Sequence, residues 1–266
     1  MIFFSSYETI YWLLPLAGFI IGLFGTMLGG GGGFFFLPLL TLVFSAPAHV
    51  AVATSLTATL PICMVGSWGH YRRGNTDLKA AVILIFAGVV GALSGAALAG
   101  VISDRLLKMA FGIYSVVIAI NMGYNTWQKR KVTEKGEKQK YLSKSGRILR
   151  GTFFGLFAGA IAGIFGTSGT APVLAGLFSM RLPLKIVIGT SLMVVLVNTV
   201  FASGAHFLVG QIDLTLVSFL SVGSLLGAML GTRFLAKVKV EKKESNVRYV
   251  YALVMVAIGV LMIFSK

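Results

Sequence analysis

The sequence predicts an all-α polytopic membrane protein: two inverted repeats, with about eight long apolar helices plus two short segments after glycine-rich re-entrant breaks. Three observations predict it. Apolar residues make up 56% of the 266-residue chain and charged residues only 12%, against about 45–50% and about 25% in soluble domains. Several uncharged runs exceed the roughly 20 residues that cross a bilayer. The second half of the chain repeats the first in register at a series of matched positions through much of its length.

The first apolar segment is Trp12 to Leu28. It meets Gly29-Gly30-Gly31-Gly32-Gly33, which no helix holds easily, because each glycine costs about 1 kcal/mol relative to alanine. This run sits inside a stretch without charge from Thr9 to Tyr71. Broken backbone in hydrocarbon is tolerated only when buried in protein or lining a wet cavity. The glycines are therefore a deliberate break, and a short segment from Phe34 to Phe44 restarts the helix. After the turn at Pro47 comes a helix over about Val50 to Trp68. A polar loop, His70 to Asp77, leads to a Gly- and Ala-rich span from Ala80 to Val101. Leu106 to Trp127 is the next span.

A basic linker at 129–150 divides a first repeat (1–128) from a second (151–266). In the second, Gly151 to Ile164 leads to a break at Gly166–Pro172 and a short segment from Val173 to Met180. A helix follows from about Ile186 to Phe207, then spans over Leu214 to Phe234 and Tyr249 to Phe264. The halves match in register. Pro47 pairs with Pro183, Thr54-Ser55-Leu56 with Thr190-Ser191-Leu192, and His70 with His206. Gly74 pairs with Gly210, Asp77-Leu78 with Asp213-Leu214, and Gly91 and Gly95 with Gly227 and Gly231.

The net charge of +15 is not read as nucleic-acid binding. Nine of the 23 basic residues lie in 129–150 and six in 233–248. Such clusters beside apolar spans mark cytoplasmic loops and contact with anionic lipid heads. Counting spans back from each cluster puts the equivalent loops of the two halves on opposite faces, so the repeats are inverted. That arrangement serves alternating access, with the site where the repeats meet. The expected location is the inner (plasma) membrane, multi-pass, with both termini outside. The first charge is Glu8, with no basic region before it, so a cleaved signal peptide is not expected.

Gly151 to Met180 is about 45 Å long as helix, while two full passes need about 60 Å. The two breaks therefore read as re-entrant tips that meet near the bilayer centre. No Asp, Glu, Lys or Arg falls deep in a span, whereas cation carriers usually keep an ionisable group there. Glycine N–H groups, helix starts and hydroxyls suit an anion. The candidate binding residues are Gly30, Gly31, Gly32, Gly33, Thr54, Ser55, Thr167, Ser168, Gly169, Thr170, Thr190 and Ser191. For each hydroxyl the plainer reading is a bond to its own helix carbonyl. His70 and His206 are either interfacial capping histidines or a gate or proton-coupling group. Asn198 bonds a solute or a neighbouring helix. Cys63 is a small packing residue or a thiol beside the solute. Asp77 and Asp213 cap the helices that follow. No metal site and no cofactor is expected.

Gly25-Thr26-Met27-Leu28 with the glycine run and Pro38, Ala53-Thr54-Ser55-Leu56 and Gly69-His70-Tyr71-Arg72-Arg73-Gly74 together form a pattern. It returns as Gly163-Ile164-Phe165-Gly166-Thr167-Ser168-Gly169, Gly189-Thr190-Ser191-Leu192 and Gly210-Gln211-Ile212-Asp213. This pattern resembles the sulfite exporter TauE/SafE family over almost the whole chain. The resemblance implies a secondary transporter of small sulfur-containing anions such as sulfite, thiosulfate, sulfoacetate or another organosulfonate. A coupling proton or sodium ion, membrane lipids and a homodimer are the further partners considered. An anion channel on the same scaffold is the alternative. A membrane-embedded enzyme acting on a lipid phosphate is a weaker one, since it needs a general acid or base that the tips lack.

Overall fold

The computed structural model describes residues 2–132, 143–209, 211–237 and 244–265. Gly210, residues 133–142 of the basic linker and the middle of the second basic cluster (238–243) lie outside the described residues. The helices are α1 (Leu13–Leu28), α2 (Gly33–Pro38), α3 (Ala48–Arg72), α4 (Leu78–Ala99) and α5 (Asp104–Val132). After the linker come α6 (Lys144–Phe165), α7 (Thr170–Ser179), α8 (Leu184–Val209), α9 (Leu214–Lys237) and α10 (Glu244–Phe264). Among the described residues seven helical segments are long and apolar enough to cross a membrane, and α7 and Gly33–Val43 are short apolar ones. The protein is a polytopic all-α membrane protein. Two strands of two residues each, β1 (Ile2–Phe3) and β2 (Ile212–Asp213), pair in parallel.

Local chemistry sets the ends. Asp77 Oδ1 accepts the Ala80 N–H at 3.0 Å and caps α4. Asp213 Oδ1 accepts the N–H groups of Thr215 and Leu216 at the start of α9. Both caps were expected from the sequence. α1 ends on Gly29 at φ 77°, whose N–H returns to the Gly25 carbonyl, and α6 ends the same way on Gly166 at φ 67°. A left-handed residue just past the last helical one is the common C-terminal stop.

The backbone makes the duplication visible in a form the sequence did not. Gly29, Gly31 and Gly32 are left-handed, and their counterparts Gly166, Ser168 and Gly169 are left-handed too. Ser45 and Arg181, which end the short segments, form the next such pair. The first half has one residue more between Gly32 and Ser45 than the second has between Gly169 and Arg181. Residues Leu39–Val43 form a π-helical turn, the wider winding that takes up one added residue.

Helices α1–α4 and α6–α9 form one compact unit, and α5 with α10 a second. In the first unit, α4 lies along α6 and α1 along α9, with glycines at each crossing. A Cβ on Gly91 would meet the Leu156 carbonyl oxygen, and one on its counterpart Gly227 would meet that of Phe19. Gly155 faces the Leu84 carbonyl, and its counterpart Gly18 faces that of Leu220. These contacts are exchanged between the halves, as a two-fold relation exchanges them. Small residues let membrane helices approach this closely. Between α3 and α8, Thr57 near the start of α3 bonds Ser203 near the end of α8, while Gly66 lies on Leu192. These two helices are counterparts, and they run antiparallel. In the second unit Gly112 of α5 and Gly259 of α10 face each other's carbonyls, and Ser115 Oγ donates to the Met255 carbonyl at 2.8 Å.

Gly159→Ala should lower the thermal stability of the purified protein in detergent, because the new methyl overlaps the Gly88 carbonyl. Overpacking of this kind costs about 1–3 kcal/mol. Gly204→Ala, where a methyl meets nothing within 4 Å, should leave stability unchanged or slightly raised. Equal melting temperatures for both variants would refute the packing account.

Candidate functional site at the meeting of the two breaks

The two breaks touch. The Gly30 carbonyl of the first accepts hydrogen bonds from Ser168 Oγ at 3.0 Å and Thr170 Oγ1 at 2.8 Å of the second. Gly33 lies against Thr167 and Ser168. Gly31 lies against Cys63, Thr59 and Val195. Thr59 and Val195 are counterparts in the two halves, so the two-fold relation passes close to this glycine. A side chain at Gly31 would run into Cys63 Sγ, whereas its counterpart is Ser168. That serine accepts a left-handed backbone at φ 60°, unfavourable for a residue with a Cβ, and its hydroxyl reaches Gly30.

Two serines hold the tips, and two threonines beside them hold the following turns, in exchanged pairs. Ser191 Oγ of α8 donates to the Gly29 carbonyl at 2.8 Å, and Ser55 Oγ of α3 donates to the Gly166 carbonyl at 2.9 Å. Each serine therefore fastens the break of the other half. The adjacent threonines face the chain that enters the next helix. Thr190 Oγ1 accepts the Asp77 N–H at 2.9 Å, and Thr54 Oγ1 accepts the Asp213 N–H at 3.2 Å. Asp77 also pairs with Arg147 at 3.0 Å, while Asp213 accepts from the Ser5 N–H at 3.4 Å.

Gly30, Gly31, Gly33, Ser55, Thr167, Ser168, Thr170 and Ser191 are thus brought together, whereas Gly32 faces Ile21 of α1 and Gly169 faces Ala158 of α6. Thr54 and Thr190 stand one residue away, each turned to an aspartate of the other half. Thr54, Ser55, Thr190 and Ser191 are all fully buried. Cys63 is buried and borders the first tip. The two histidines part company: His206 Nε2 lies 2.6 Å from the Gly163 carbonyl, while both ring nitrogens of His70 are buried without a partner. Thr167 Oγ1, Thr76 Oγ1, Thr199 Oγ1 and both amide atoms of Asn198 are likewise unpartnered.

The residues named at the meeting point are uncharged. Among the described residues no cluster of three metal-binding side chains occurs. What the place offers is hydroxyl groups and backbone dipoles at the starts of α2 and α7, which favour negative charge. Sequence reasoning missed Thr59, Thr76 and Thr199. None of them has a matching hydroxyl in the other half, so the repeat gives no signal for them. It also missed that the aspartate caps are the partners of Thr54 and Thr190, although both pairs recur in both halves.

A family model described as "Sulfite exporter TauE/SafE" matches residues 14–262. A Bacillus subtilis protein named probable membrane transporter protein YdhB is 28% identical over 226 residues, covering 84% of this chain and 89% of the relative. The Methanocaldococcus jannaschii probable membrane transporter protein MJ0441 is 24% identical over 85% of this chain and 86% of its own. A second Bacillus subtilis protein, named probable membrane transporter protein YunE, is 22% identical over 95% and 97%. No solved structure matches the chain.

Ser191→Ala and Ser55→Ala should each destabilise the protein by about 1–3 kcal/mol, because each leaves a buried carbonyl unsatisfied. Unfolding in detergent measures this. Ser218→Ala removes an exposed hydroxyl that bonds only its own helix, at the Leu214 carbonyl, and should change stability by less than about 0.5 kcal/mol. A tip serine behaving like Ser218 would remove it from the clamp.

Proposed function

The chain belongs to the sulfite exporter TauE/SafE family, and on that premise we propose that it is a secondary carrier of a small sulfur-containing oxyanion or sulfonate. The observation that carries the reading is the contact between the two breaks. Two interruptions of apolar helices lie tip to tip, in contact through glycines and hydroxyls. A structural protein has no use for two helix breaks in hydrocarbon. An anion has a use for both, because backbone dipoles and hydroxyls hold negative charge while remaining weak enough to release it.

We take the halves 1–128 and 151–266 as inverted repeats that rock about the tips. The antiparallel run of α3 against its counterpart α8 supports this: corresponding membrane helices that point in opposite directions need a two-fold axis lying in the membrane plane. Under this reading the basic stretches 129–150 and 233–248 face the cytoplasm, in the plasma membrane, and both termini are outside. The binding residues are those of the tips, Gly30–Gly33 and Thr167–Thr170, with Ser55 and Ser191 holding them in place. Thr54 and Thr190 act one step back, on the chain entering α9 and α4.

In proteoliposomes loaded with sulfite, thiosulfate or sulfoacetate, external tracer should be taken up by counterflow and saturate with concentration. Thr170→Val, which removes one hydroxyl from the tip contact, should raise the half-saturating concentration by roughly ten-fold while the protein inserts normally. Linear, non-saturating flux would make the protein a channel. Saturable uptake unaltered by Thr170→Val would put the site elsewhere.

Topology has its own test. A cysteine introduced by Gln211→Cys, with Cys63→Ala, should react with an impermeant maleimide added outside intact cells, and one from Asn75→Cys should not. The reverse labelling would contradict the inverted arrangement.

A further inference from the structure

We propose that Asn198, assisted by its neighbour Thr199, is a solute-binding residue on α8; this deepens the carrier reading above and rests on it. Asn198 is completely buried, and neither its amide nitrogen nor its amide oxygen has a hydrogen-bond partner. Thr199 is completely buried and its hydroxyl is unpartnered too. Buried polar side chains nearly always find partners, and an unmet one costs about 1–3 kcal/mol. A polar species reaching this part of the helix would find donors and an acceptor free to bond it.

The fold itself does not require these residues. The counterparts of Asn198 and Thr199 on α3 are Ile62 and Cys63, both buried and less polar. The glycine crossings and the serine and threonine bonds of the two halves are exchanged, whereas this buried amide occurs in one half only, which favours a functional over an architectural role. The side chain is also held in place. Its amide lies against Gly88 of α4, where a Cβ would overlap it. Two turns before it on α8, about 10 Å along the axis, Ser191 fastens the Gly29 carbonyl of the first tip.

The chemistry defines the ligand. The amide nitrogen and the Thr199 hydroxyl donate to oxyanion oxygens. The amide oxygen accepts, so it suits an oxyanion that carries a proton or a retained hydration water. No formal charge is involved, which lets a singly charged solute bind and leave.

The test uses the full-length protein in proteoliposomes. In a Cys63→Ala background, Asn198→Cys should be modified by the anionic reagent 2-sulfonatoethyl methanethiosulfonate, as a thiol in a wet, anion-accessible place is. Asn198→Ile, which installs the residue of the other half, should insert and melt normally yet lower sulfite flux at least ten-fold. An unreactive thiol overturns the proposal, because Asn198 would then be dry packing. A reactive thiol with undiminished flux in Asn198→Ile also overturns it, because the position would be wet without holding the solute. The thiol arm needs no substrate. A wild type that carries no sulfur anion therefore sinks the carrier reading, and labelling still decides whether anions reach Asn198.

Discussion

Breaking a helix inside hydrocarbon releases backbone carbonyls that lipid cannot satisfy, and this constraint organises the larger helical unit. Here the released groups are met by hydroxyls from the opposite half. Ser191 takes the Gly29 carbonyl, Ser55 takes the Gly166 carbonyl, and Ser168 with Thr170 takes the Gly30 carbonyl. Each half supplies a serine that caps a carbonyl of the other half's break. Removing one serine leaves a buried acceptor unpaired, a penalty larger than the net worth of the bond itself.

The same exchange runs through the rest of the unit. Thr190 meets Asp77 while Thr54 meets Asp213. The glycine crossings of α4 on α6 are repeated by α1 on α9. Departures from this symmetry stand out against it. Ser168 replaces Gly31, the π-helical turn at Leu39–Val43 absorbs an added residue, and Asn198 stands opposite Ile62. His206 has a carbonyl partner that His70 lacks. Two halves with one architecture and different polar contents can treat the two faces of a membrane differently.

Much of this was legible in the sequence. Gly29–Gly33 announced the first break because no other residue run is so costly in a helix, and Gly166–Gly169 announced the second by alignment with it. Asp77 and Asp213 were recognisable as caps from their positions before apolar runs. The partners were not legible. Ser55 was expected as a binding hydroxyl or as a bond to its own helix carbonyl, yet it also reaches a carbonyl 111 residues further along the chain. Local spacing carries no information about which helix lies against which. The left-handed geometry of Ser168 was hidden because serine, unlike glycine, does not advertise it. Thr59 and Thr199 were missed because threonines in apolar helices usually bond their own backbone.

The central claim is that uncharged groups at the joined tips hold a negative solute in the middle of the protein. Anomalous diffraction from crystals grown with selenite, the heavier analogue of sulfite, tests it most directly. The account predicts a selenium peak within hydrogen-bonding distance of Gly30–Gly33 or Thr167–Thr170. Selenium found only among the basic residues of 129–150 and 233–248, at concentrations that saturate transport, would contradict it.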